Sequence, residues 1–335
     1  MKKEIIFCIP QLYGGGAEQQ IKYLANIFAK EYKVKIIALK NSNKEGFNPD
    51  IEIIKIRKLS LKRISSIKAF LILRKEIKGN HVISASIYFD ILCGLLKIFT
   101  RFNWFIRESN SSKARKDNFK NRLRKFLGRN AKGIIANSES GYKYWKLINK
   151  NSKLIYNGYP REILEKTKLK KKDYAVIASR LQPHKNIKLS IDLFDKLKKE
   201  GYIKRLIICG DGPEKKNIIK YINKSSNKNH IEIKGFINHK KLQDILSYSK
   251  CFLSMSSYEG TPNSVIEALA NYCEVFLSDS SSHKDFFPSN IVNFVSIKNL
   301  NYKKNNRKDF LKILEFIKEF NINKVSYKYK TFINI

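Results

Sequence analysis

The sequence predicts an α/β protein of two domains, each built around a parallel sheet. Its 335 residues exceed the ~100–200 residues of a usual domain, which favours two domains over one. Short apolar runs alternate with segments of helical period along most of the chain, and this alternation is typical of parallel sheets covered by helices. Hydrophobic residues make up 43% of the chain, enough for a core in each domain.

The first half contains a series of predicted strands separated by predicted helices. The strands are Glu4–Ile9, Val34–Leu39, Ile51–Ile56, Val82–Ser86, Trp104–Arg107 and Gly133–Asn137, and Lys153–Gly158 closes this half. The helices are Ala17–Lys30, Ile64–Ile77, Asp90–Phe99, Lys113–Leu127 and one that runs through Leu147 after Ser138 as its N-cap. Helical crossovers of this kind join parallel strands.

A glycine-rich turn, Gly14 to Gly16, follows the first strand. Glycine lets the backbone approach a ligand closely, and the start of the next helix adds positive potential. The turn therefore fits a phosphate, although it is neither G-x-G-x-x-G nor a P-loop. The alternative is a turn without a ligand.

The second half repeats the alternation. Its predicted elements are the strands Tyr174–Ser179, Arg205–Cys209 and Cys251–Met255, the strand and turn Ile231–Phe236, and the helices Ile187–Lys199, Lys240–Tyr248 and Phe310–Phe320, with further helices after Glu214 and from Asn263. The tail Asn321–Ile335 is polar, basic and weakly patterned.

Two cations, Arg180 and Lys185, lie in the loop after the strand Tyr174–Ser179. In open α/β sheets, ligands bind outside the carboxyl ends of the strands. Arginine by its fork and lysine as a point charge can together clamp a diphosphate. Loop cations without such a ligand are simply solvated, so the prediction depends on neighbouring motifs.

The stretch Cys251–Ala270 supplies those neighbours. It predicts a strand, a turn and a helix, with Glu259 before the helix and Glu267 more than a turn into it. Free N–H groups at a helix start, here around Asn263 and Ser264, suit a phosphate. A glutamate further along can accept hydrogen bonds from ribose hydroxyls. The alternative is an ordinary turn with two solvated glutamates.

The net charge is +38, from 67 Lys and Arg against 29 Asp and Glu. Such an excess is compatible with nucleic-acid binding, but it is dispersed and accompanied by many Ile and Asn residues, as an AT-rich genome also produces. The helix Lys113–Arg129 concentrates basic residues on an amphipathic segment. It predicts either an anionic membrane or polyphosphate contact, or a solvated helix packed by its apolar face.

No run reaches the ~18–20 apolar residues of a spanning helix, since Asp90 and Lys97 interrupt Ile87–Phe99. No secretory signal is recognised at the start, because Glu4 follows the two lysines. The five cysteines are scattered and form no zinc pattern, so reduced core residues are expected. We expect a cytoplasmic protein that is soluble or peripheral at the inner face of the cell membrane.

Several motifs together resemble the retaining glycosyltransferases of family 4, the group 1 type with the GT-B fold. Glu259 and Glu267 form an E-x7-E motif within S-S-Y-E-G-T-P-N-S-V-I-E-A-L-A, and Arg180–Asn186 resembles the donor-phosphate motif R-L-x-x-x-K-N. The turn Gly14–Glu18 resembles a G-G-x-E loop, and Gly210–Pro213 a G-x-G-P turn. The resemblance implies two Rossmann-like domains facing a cleft.

The resemblance also implies roles for individual residues. Arg180 and Lys185 would stabilise the departing diphosphate, Glu259 would contact the donor sugar, and Glu267 would hold the ribose. Further donor contacts would come from Gly15, Gly16, Gly210, Phe236, Asn263 and Ser264. No metal or cofactor is expected, because the two cations replace a metal.

Some segments depart from the family pattern. Ile83–Ser86 lacks a frequent histidine, and Arg107–Asn110 is nearer to an S-E-R-N subgroup, which makes Glu108 and Asn110 the acceptor-side candidates. After Ala270 the usual glycine and proline are replaced at Tyr272 and Glu274, and serines replace two glycines before Asp285. These changes leave the donor sugar open.

The predicted function is sugar transfer, with retention, from a nucleotide-diphosphate donor such as a UDP-sugar. The acceptor would be a glycan or lipid-linked, in surface polysaccharide biosynthesis, near an anionic membrane and without nucleic acid. The predicted domains are 1–160 on the acceptor side, 161–305 for the nucleotide sugar, and a segment 306–335 that returns towards the first domain. The alternatives are a nucleotide-sugar epimerase of the same architecture and a basic binding protein whose enzyme site has decayed.

Overall fold

The computed structural model describes residues 4–12, 15–39, 46–56, 62–109, 111, 117–165, 169–302 and 310–335, with backbone alone for 62–68 and 310. The chain divides into two compact units. Unit 1 comprises Met1–Pro160 and Phe320–Ile335, and unit 2 comprises Arg161–Glu319.

Unit 1 is built on a parallel sheet of seven strands. In chain order they are β1 (Glu4–Ile9), β2 (Lys33–Ala38), β3 (Glu52–Lys55), β4 (His81–Ser84), β5 (Asn103–Glu108), β6 (Gly133–Ala136) and β7 (Ser152–Leu154). Their order across the sheet is β3-β2-β1-β4-β5-β6-β7. The order therefore reverses between β1 and β4, as in doubly wound folds.

Helices cover both faces of this sheet. They are α1 (Gly16–Phe28), α2 (Lys62–Ile77), α3 (Ile87–Phe99), α4 (Phe119–Gly128), α5 (Glu139–Lys146) and α13 (Ile322–Ile333). Alternate residues of β1 face opposite sides. Ile5 and Phe7 join a core with residues of α1 and α13, whereas Ile6 and Cys8 join a core with residues of α2 to α5.

Unit 2 repeats the plan with six parallel strands. They are β8 (Lys172–Ala178), β9 (Arg205–Cys209), β10 (Ile231–Gly235), β11 (Ser249–Ser254), β12 (Glu274–Ser278) and β13 (Asn293–Val295). The order is β10-β9-β8-β11-β12-β13. The helices are α6 (Arg161–Leu164), α7 (Ile187–Lys199), α8 (Lys215–Asn223), α9 (His239–Tyr248), α10 (Asn263–Ala270), α11 (Ser281–Lys284) and α12 (Phe310–Lys318).

The C-terminal segment differs from its weak sequence pattern. Residues 321–335 contain the helix α13, whose Tyr329 and Ile333 are buried. Its buried residues recur at helical spacing, but lysines and other polar residues lie between them, so the apolar pattern is weak in the sequence. The segment set apart as 306–335 is also divided, since α12 belongs to unit 2 and α13 to unit 1.

The predicted basic helix Lys113–Leu127 is wrong at its start. α4 begins at Phe119, after Asn118, whose side chain accepts a hydrogen bond from the N–H of Asn121 and caps the helix. Arg124 does not belong to a solvated basic face either, because it is buried. Lys113, Arg115 and Lys116 lie outside the described residues.

All five cysteines are free and buried. In the described part of the chain, no helix has the length and apolarity needed to cross a membrane.

Candidate active site

The reversal of strand order in unit 2 places two loops side by side. β8 and β11 are hydrogen-bonded neighbours, and the loops that follow them carry Arg180 to Asn186 and Met255 to Pro262. Their carboxyl ends flank the point where the order changes, which is where open α/β sheets bind ligands. The sequence-predicted donor residues Arg180, Lys185 and Glu259 all lie on these loops.

Lys185 and Glu259 form a direct ion pair. The Nζ of Lys185 lies 2.6 Å from Oε1 of Glu259, and only 16% and 13% of the two side chains are exposed. Burial raises the pKa of the Glu259 carboxyl, but the Lys185 ammonium and the hydrogen bonds from Lys185 and Ser256 outweigh it and hold that pKa below its ordinary value. Glu259 is therefore a carboxylate at neutral pH, and Lys185 keeps two N–H donors for another acceptor.

Asn186 fastens the two loops to each other. Its backbone is left-handed (φ 47°, ψ 48°), a conformation that asparagine tolerates better than most residues. Its Nδ2 donates to the carbonyl of Met255 at 2.9 Å and to the hydroxyl of Ser257 at 2.8 Å. The N–H of Ser257 in turn donates to the carbonyl of His184 at 2.8 Å. These bonds fix the spacing of Lys185 and Glu259.

A ring pair closes the same junction. The rings of His184 and Tyr258 stack with centroids 4.5 Å apart and an interplanar angle of 9°. Burial and the adjacent Lys185 lower the pKa of His184, against the pull of Glu259. The imidazole is therefore neutral at pH 7 and acts as a flat packing surface.

Arg180 differs from Lys185 in its surroundings. It is exposed, and its guanidinium makes no hydrogen bond or ion pair with any residue that the structure describes. Five N–H donors are thus available to an anionic ligand. Of the two cations predicted in this loop, Lys185 is ion-paired with Glu259, whereas Arg180 has no ion-pair partner among the described residues.

The start of α10 is less open than its sequence predicts. The N–H of Asn263 donates to the carbonyl of Thr261 at 2.9 Å, and those of Val265 and Ile266 donate to the carbonyl of Pro262. Among the described residues, the N–H of Ser264 has no acceptor. The sequence predicted that the N–H groups of both Asn263 and Ser264 could bind a phosphate. Of these two, the N–H of Ser264 is the one that remains available.

Glu267 is buried on α10 with only 7% of its surface exposed. Its Oε2 accepts a hydrogen bond from Nε2 of Gln243 at 2.9 Å and lies 3.3 Å from Nε2 of His239. Both partners lie on α9 and were missed from the sequence. They orient the carboxylate. Its second oxygen, Oε1, accepts no hydrogen bond from the described residues.

Gly210 serves the fold. Its φ is 153°, and a Cβ there would lie 1.8 Å from the carbonyl oxygen of Ser179. Its N–H already donates to the carbonyl of Gly235 at 2.7 Å. Gly210 thus allows two loops to come into contact. Its N–H is not available to bind a nucleotide sugar. Phe236, which follows β10, is 56% exposed.

The glycine turn of unit 1 follows β1 at the reversal of its own sheet. Gly15 is the N-cap of α1 and Gly16 is its first residue, while Gly14 lies outside the described residues. A Cβ on Gly15 would lie 2.9 Å from Oε2 of Glu18, and Gln11 donates to the other oxygen of Glu18 at 3.4 Å. A carboxylate therefore already lies beside this helix start.

Glu108 belongs to a buried charge network. Its Oε2 accepts from Nη1 of Arg124 at 2.8 Å and from the indole of Trp145 at 3.1 Å. The Nε of Arg124 donates to Oδ2 of Asp90 at 2.6 Å. With 2% of its surface exposed, Glu108 ties α4 and α5 to β5. Asn110, its predicted partner, lies outside the described residues.

Comparison with known proteins finds a family that unit 2 resembles. Residues 160–319 match the model of the family described as glycosyl transferases group 1. The sequence motifs from Arg180 to Glu267 lie inside that range.

Three similar proteins match more of the chain than residues 160–319. CapH of Staphylococcus aureus, a capsular polysaccharide biosynthesis glycosyltransferase, is 24% identical over 299 residues, 84% of this chain and 83% of CapH. HepE of Anabaena, solved with UDP and glucose, is 14% identical, covers 99% of both chains and has a TM-score of 0.80. Sucrose-phosphate synthase of Thermosynechococcus elongatus is 15% identical, covers 99% and 98%, and has a TM-score of 0.81. The structural likeness shows the GT-B fold.

Unit 2 contains polar residues near the candidate site to which the sequence analysis assigned no role. Ser278 is the last residue of β12, and Ser280, Ser282 and His283 follow it, next to Glu259. The signal was the run S-D-S-S-S-H directly after a buried strand, since polar side chains in that position lie at the ligand edge of the sheet. Within the described ranges, no group of three His, Cys, Asp or Glu side chains is placed to hold a metal ion.

Proposed function

We propose that this protein transfers a sugar, with retention of anomeric configuration, from a UDP-sugar donor to a glycan or lipid-linked acceptor in surface polysaccharide biosynthesis. The observation that carries the proposal is the Lys185–Glu259 pair at the β8/β11 junction, with the unpaired Arg180 beside it. The group 1 family match, the capsular role of CapH and the UDP bound by HepE support it.

The chemistry is electrostatic. Charge develops on the diphosphate as the sugar departs, and cations fixed in advance stabilise that charge. Arg180 contributes its fork and Lys185 its two remaining donors, in place of a metal. Glu259, fixed as a carboxylate, orients the sugar and stabilises positive charge at the anomeric carbon, while Glu267 accepts from the ribose. The acceptor hydroxyl attacks from the side that the diphosphate leaves and gives its proton to an oxygen of the departing phosphate, so no enzymatic nucleophile is used.

Other predicted residues take narrower roles in the proposal. The N–H of Ser264 is the amide that remains for a phosphate, and the exposed ring of Phe236 offers a stacking surface for the base. Within unit 1, the backbone at Gly15 and Gly16 remains assigned to a substrate phosphate.

Kinetics with a panel of UDP- and GDP-sugars test the proposal. We expect Lys185→Ala and Arg180→Ala each to reduce kcat about 100- to 1,000-fold, the range seen when one charge-stabilising donor is removed. Lys199→Ala is the control, because it removes an equal charge from the exposed end of α7. NMR of the product should show the donor's anomeric configuration, and EDTA should leave turnover unchanged.

Wild-type rates in both variants would refute the site. Change of a sugar's configuration without an acceptor would instead identify an epimerase. DNA binding that weakens with salt, in a protein without turnover, would support the decayed binding protein.

We also propose that the acceptor is presented at an anionic membrane, which the outer face of α4 contacts. Phe119 and Phe126 lie two turns apart on that face and are 77% and 61% exposed. The exposed cations Lys125 and Arg129 lie beside them, and so does Arg122, which is ion-paired with Asp117. Aromatic rings with cations on one helix face fit the interface of an anionic bilayer.

A further inference from the structure

A chain of hydroxyl groups leads away from Glu259. The N–H of Glu259 donates to Oγ of Ser282 at 3.2 Å. The Oγ of Ser282 lies 3.4 Å from that of Ser280, which lies 3.1 Å from that of Ser278. Ser282 and Ser280 are half-buried, whereas Ser278 is fully buried. Three alternate residues, of which the first is the last residue of β12, thus connect the sheet interior to the backbone of a predicted catalytic residue.

His283 lies at the buried end of this chain. Its Nδ1 is 2.9 Å from Oγ of Ser278 and 3.2 Å from the carbonyl oxygen of Ser278. A carbonyl only accepts, so Nδ1 carries the proton. The Ser278 hydroxyl shares its single proton between the carbonyl of Ser256 at 2.6 Å and the hydroxyl of Ser280 at 3.1 Å, so the Ser278 oxygen is the acceptor for Nδ1. The geometry therefore selects one tautomer, with a bare Nε2.

That bare nitrogen has an energetic cost. His283 is 0% exposed, and its Nε2 has no hydrogen-bond partner in the described part of the chain. A buried acceptor without a donor loses its hydration and gains nothing in exchange. Burial lowers the pKa of His283, while Glu259 opposes that shift, so the ring stays neutral. Packing alone would be served better by an apolar side chain.

Glu259 is held from a second direction as well. The hydroxyl of Ser256 makes a hydrogen bond to the Glu259 carboxyl, and the carbonyl of the same serine receives the Ser278 hydroxyl. The backbone and the carboxylate of Glu259 are thus both tied to Ser278. Among the described residues, the imidazole of His283 is the group that donates to the Ser278 hydroxyl.

We propose that His283 is a positioning residue: through Ser278, Ser280 and Ser282 it fixes the backbone of Glu259 and so aims the carboxylate at Lys185 and the donor sugar. This inference rests on the proposed function. It assigns a role to the serine-rich turn that replaces the family's glycines. Small displacements of a reacting group cost large factors in rate, so the effect should appear in kcat more than in the KM for the donor.

Two substitutions separate positioning from packing. His283→Asn places an amide N–H where Nδ1–H stands and keeps the bond to Ser278. His283→Gln carries its amide one carbon further, towards the Nε2 position, and loses that bond. We expect His283→Asn to retain kcat within about threefold, and His283→Gln to lose about 100-fold with little change in KM. Ser280→Ala interrupts the chain at a half-exposed position and should lower kcat about tenfold even if His283→Gln fails to fold.

Amide hydrogen exchange provides a readout without activity. The Glu259 N–H should lose protection in His283→Gln and Ser280→Ala but keep it in His283→Asn. Nitrogen-15 NMR of wild-type protein should show Nδ1 protonated and Nε2 bare at neutral pH. Equal kcat and equal Glu259 protection in the Asn and Gln variants would overturn the inference, and so would the opposite tautomer. If wild-type protein turns over no nucleotide sugar, the proposed function fails, while exchange and NMR still decide the role of His283.

Discussion

Asp90 is a buried carboxylic acid that shares a single positively charged partner with Glu108. One guanidinium, that of Arg124, serves both Asp90 and Glu108, and the hydroxyl of Ser84 donates to Asp90. Burial raises the pKa of Asp90 to about 6, although Arg124 and Ser84 pull it down and Glu108 adds to the rise. The folded state therefore holds a proton more tightly than the unfolded chain does.

The sign of the pH effect follows from that pKa. Between about pH 4 and about pH 6 the unfolded chain releases its proton first, so unfolding becomes easier as pH rises. Two pKa units correspond to about 3 kcal/mol. We expect Asp90→Asn to remove this dependence. Urea unfolding at about pH 4.5 and about pH 7.5 should show the stability of wild type, relative to the variant, falling with pH. A constant difference would contradict it.

Single residues also show where the sequence falls short. The cations Arg180 and Lys185 and the carboxylates Glu259 and Glu267 are placed by local motifs. Arg124 is different, because its burial depends on Asp90, 34 positions earlier, and nothing in its own helix reveals that. Hydrogen bonding at the start of α10 depends on the exact turn before it, which no residue type fixes.

At the scale of one element, α10 ends in a strained residue. The N–H of Cys273 donates to the carbonyl of Ala268, and that of Tyr272 to the carbonyl of Leu269, which is a Schellman motif. Its left-handed position is usually glycine, but here it is Tyr272, with φ 59°. A β-carbon in that conformation is unfavourable.

Replacing Tyr272 separates this strain from the ring's own contacts. Tyr272→Gly and Tyr272→Ala both delete the ring and differ only in the β-carbon. We expect the glycine variant to be about 1 kcal/mol more stable than the alanine variant, as measured by urea unfolding. Equal stability of the two would show that the turn relaxes around the β-carbon.

The start of a helix was predicted correctly where its N-cap residue could be recognised in the sequence. Ser138 was predicted to cap α5, and its hydroxyl accepts from the N–H of Gly141 at 3.1 Å. For α4 the cap Asn118 lies inside a long basic run, so the predicted helix began too early. α13 was missed because its buried side chains contact elements far away in the sequence.

At the scale of the molecule, the charge of +38 bears on the proposed membrane contact. Each Lys or Arg near an anionic bilayer contributes about 1 kcal/mol, and a buried Phe contributes about 1.5–3 kcal/mol. We expect Phe119→Ser with Phe126→Ser to weaken binding to phosphatidylglycerol vesicles at least tenfold. Sedimentation with vesicles, at low and high salt, measures this.

The matched control is Leu311→Ser on α12, where an equally exposed apolar side chain (72%) is removed. The Leu311→Ser variant should bind phosphatidylglycerol vesicles as tightly as wild type does. Vesicles of neutral lipid should bind neither wild type nor this variant. Equal loss in the two variants would show that the α4 face is not the contact.

The two-domain α/β architecture was predictable because buried parallel strands read as apolar runs, each followed by a helix. The resemblance to glycosyltransferases then named the GT-B fold, which the structural comparison confirms. The path of the chain was not predictable in the same way. Whether a C-terminal helix returns to the first unit depends on its fit against Arg107, Gly133 and α1, and such contacts leave no local pattern.

The return of α13 has a topological consequence. The N–H of Tyr159 donates to the carbonyl of Phe320 at 2.7 Å, and the N–H of Ile322 donates to the carbonyl of Tyr159 at 2.8 Å. The chain thus leaves unit 1 and rejoins it at adjacent points, held together by these two bonds. Unit 2 is therefore an insertion within unit 1, and the two points of unit 1 between which it is inserted are hydrogen-bonded to each other.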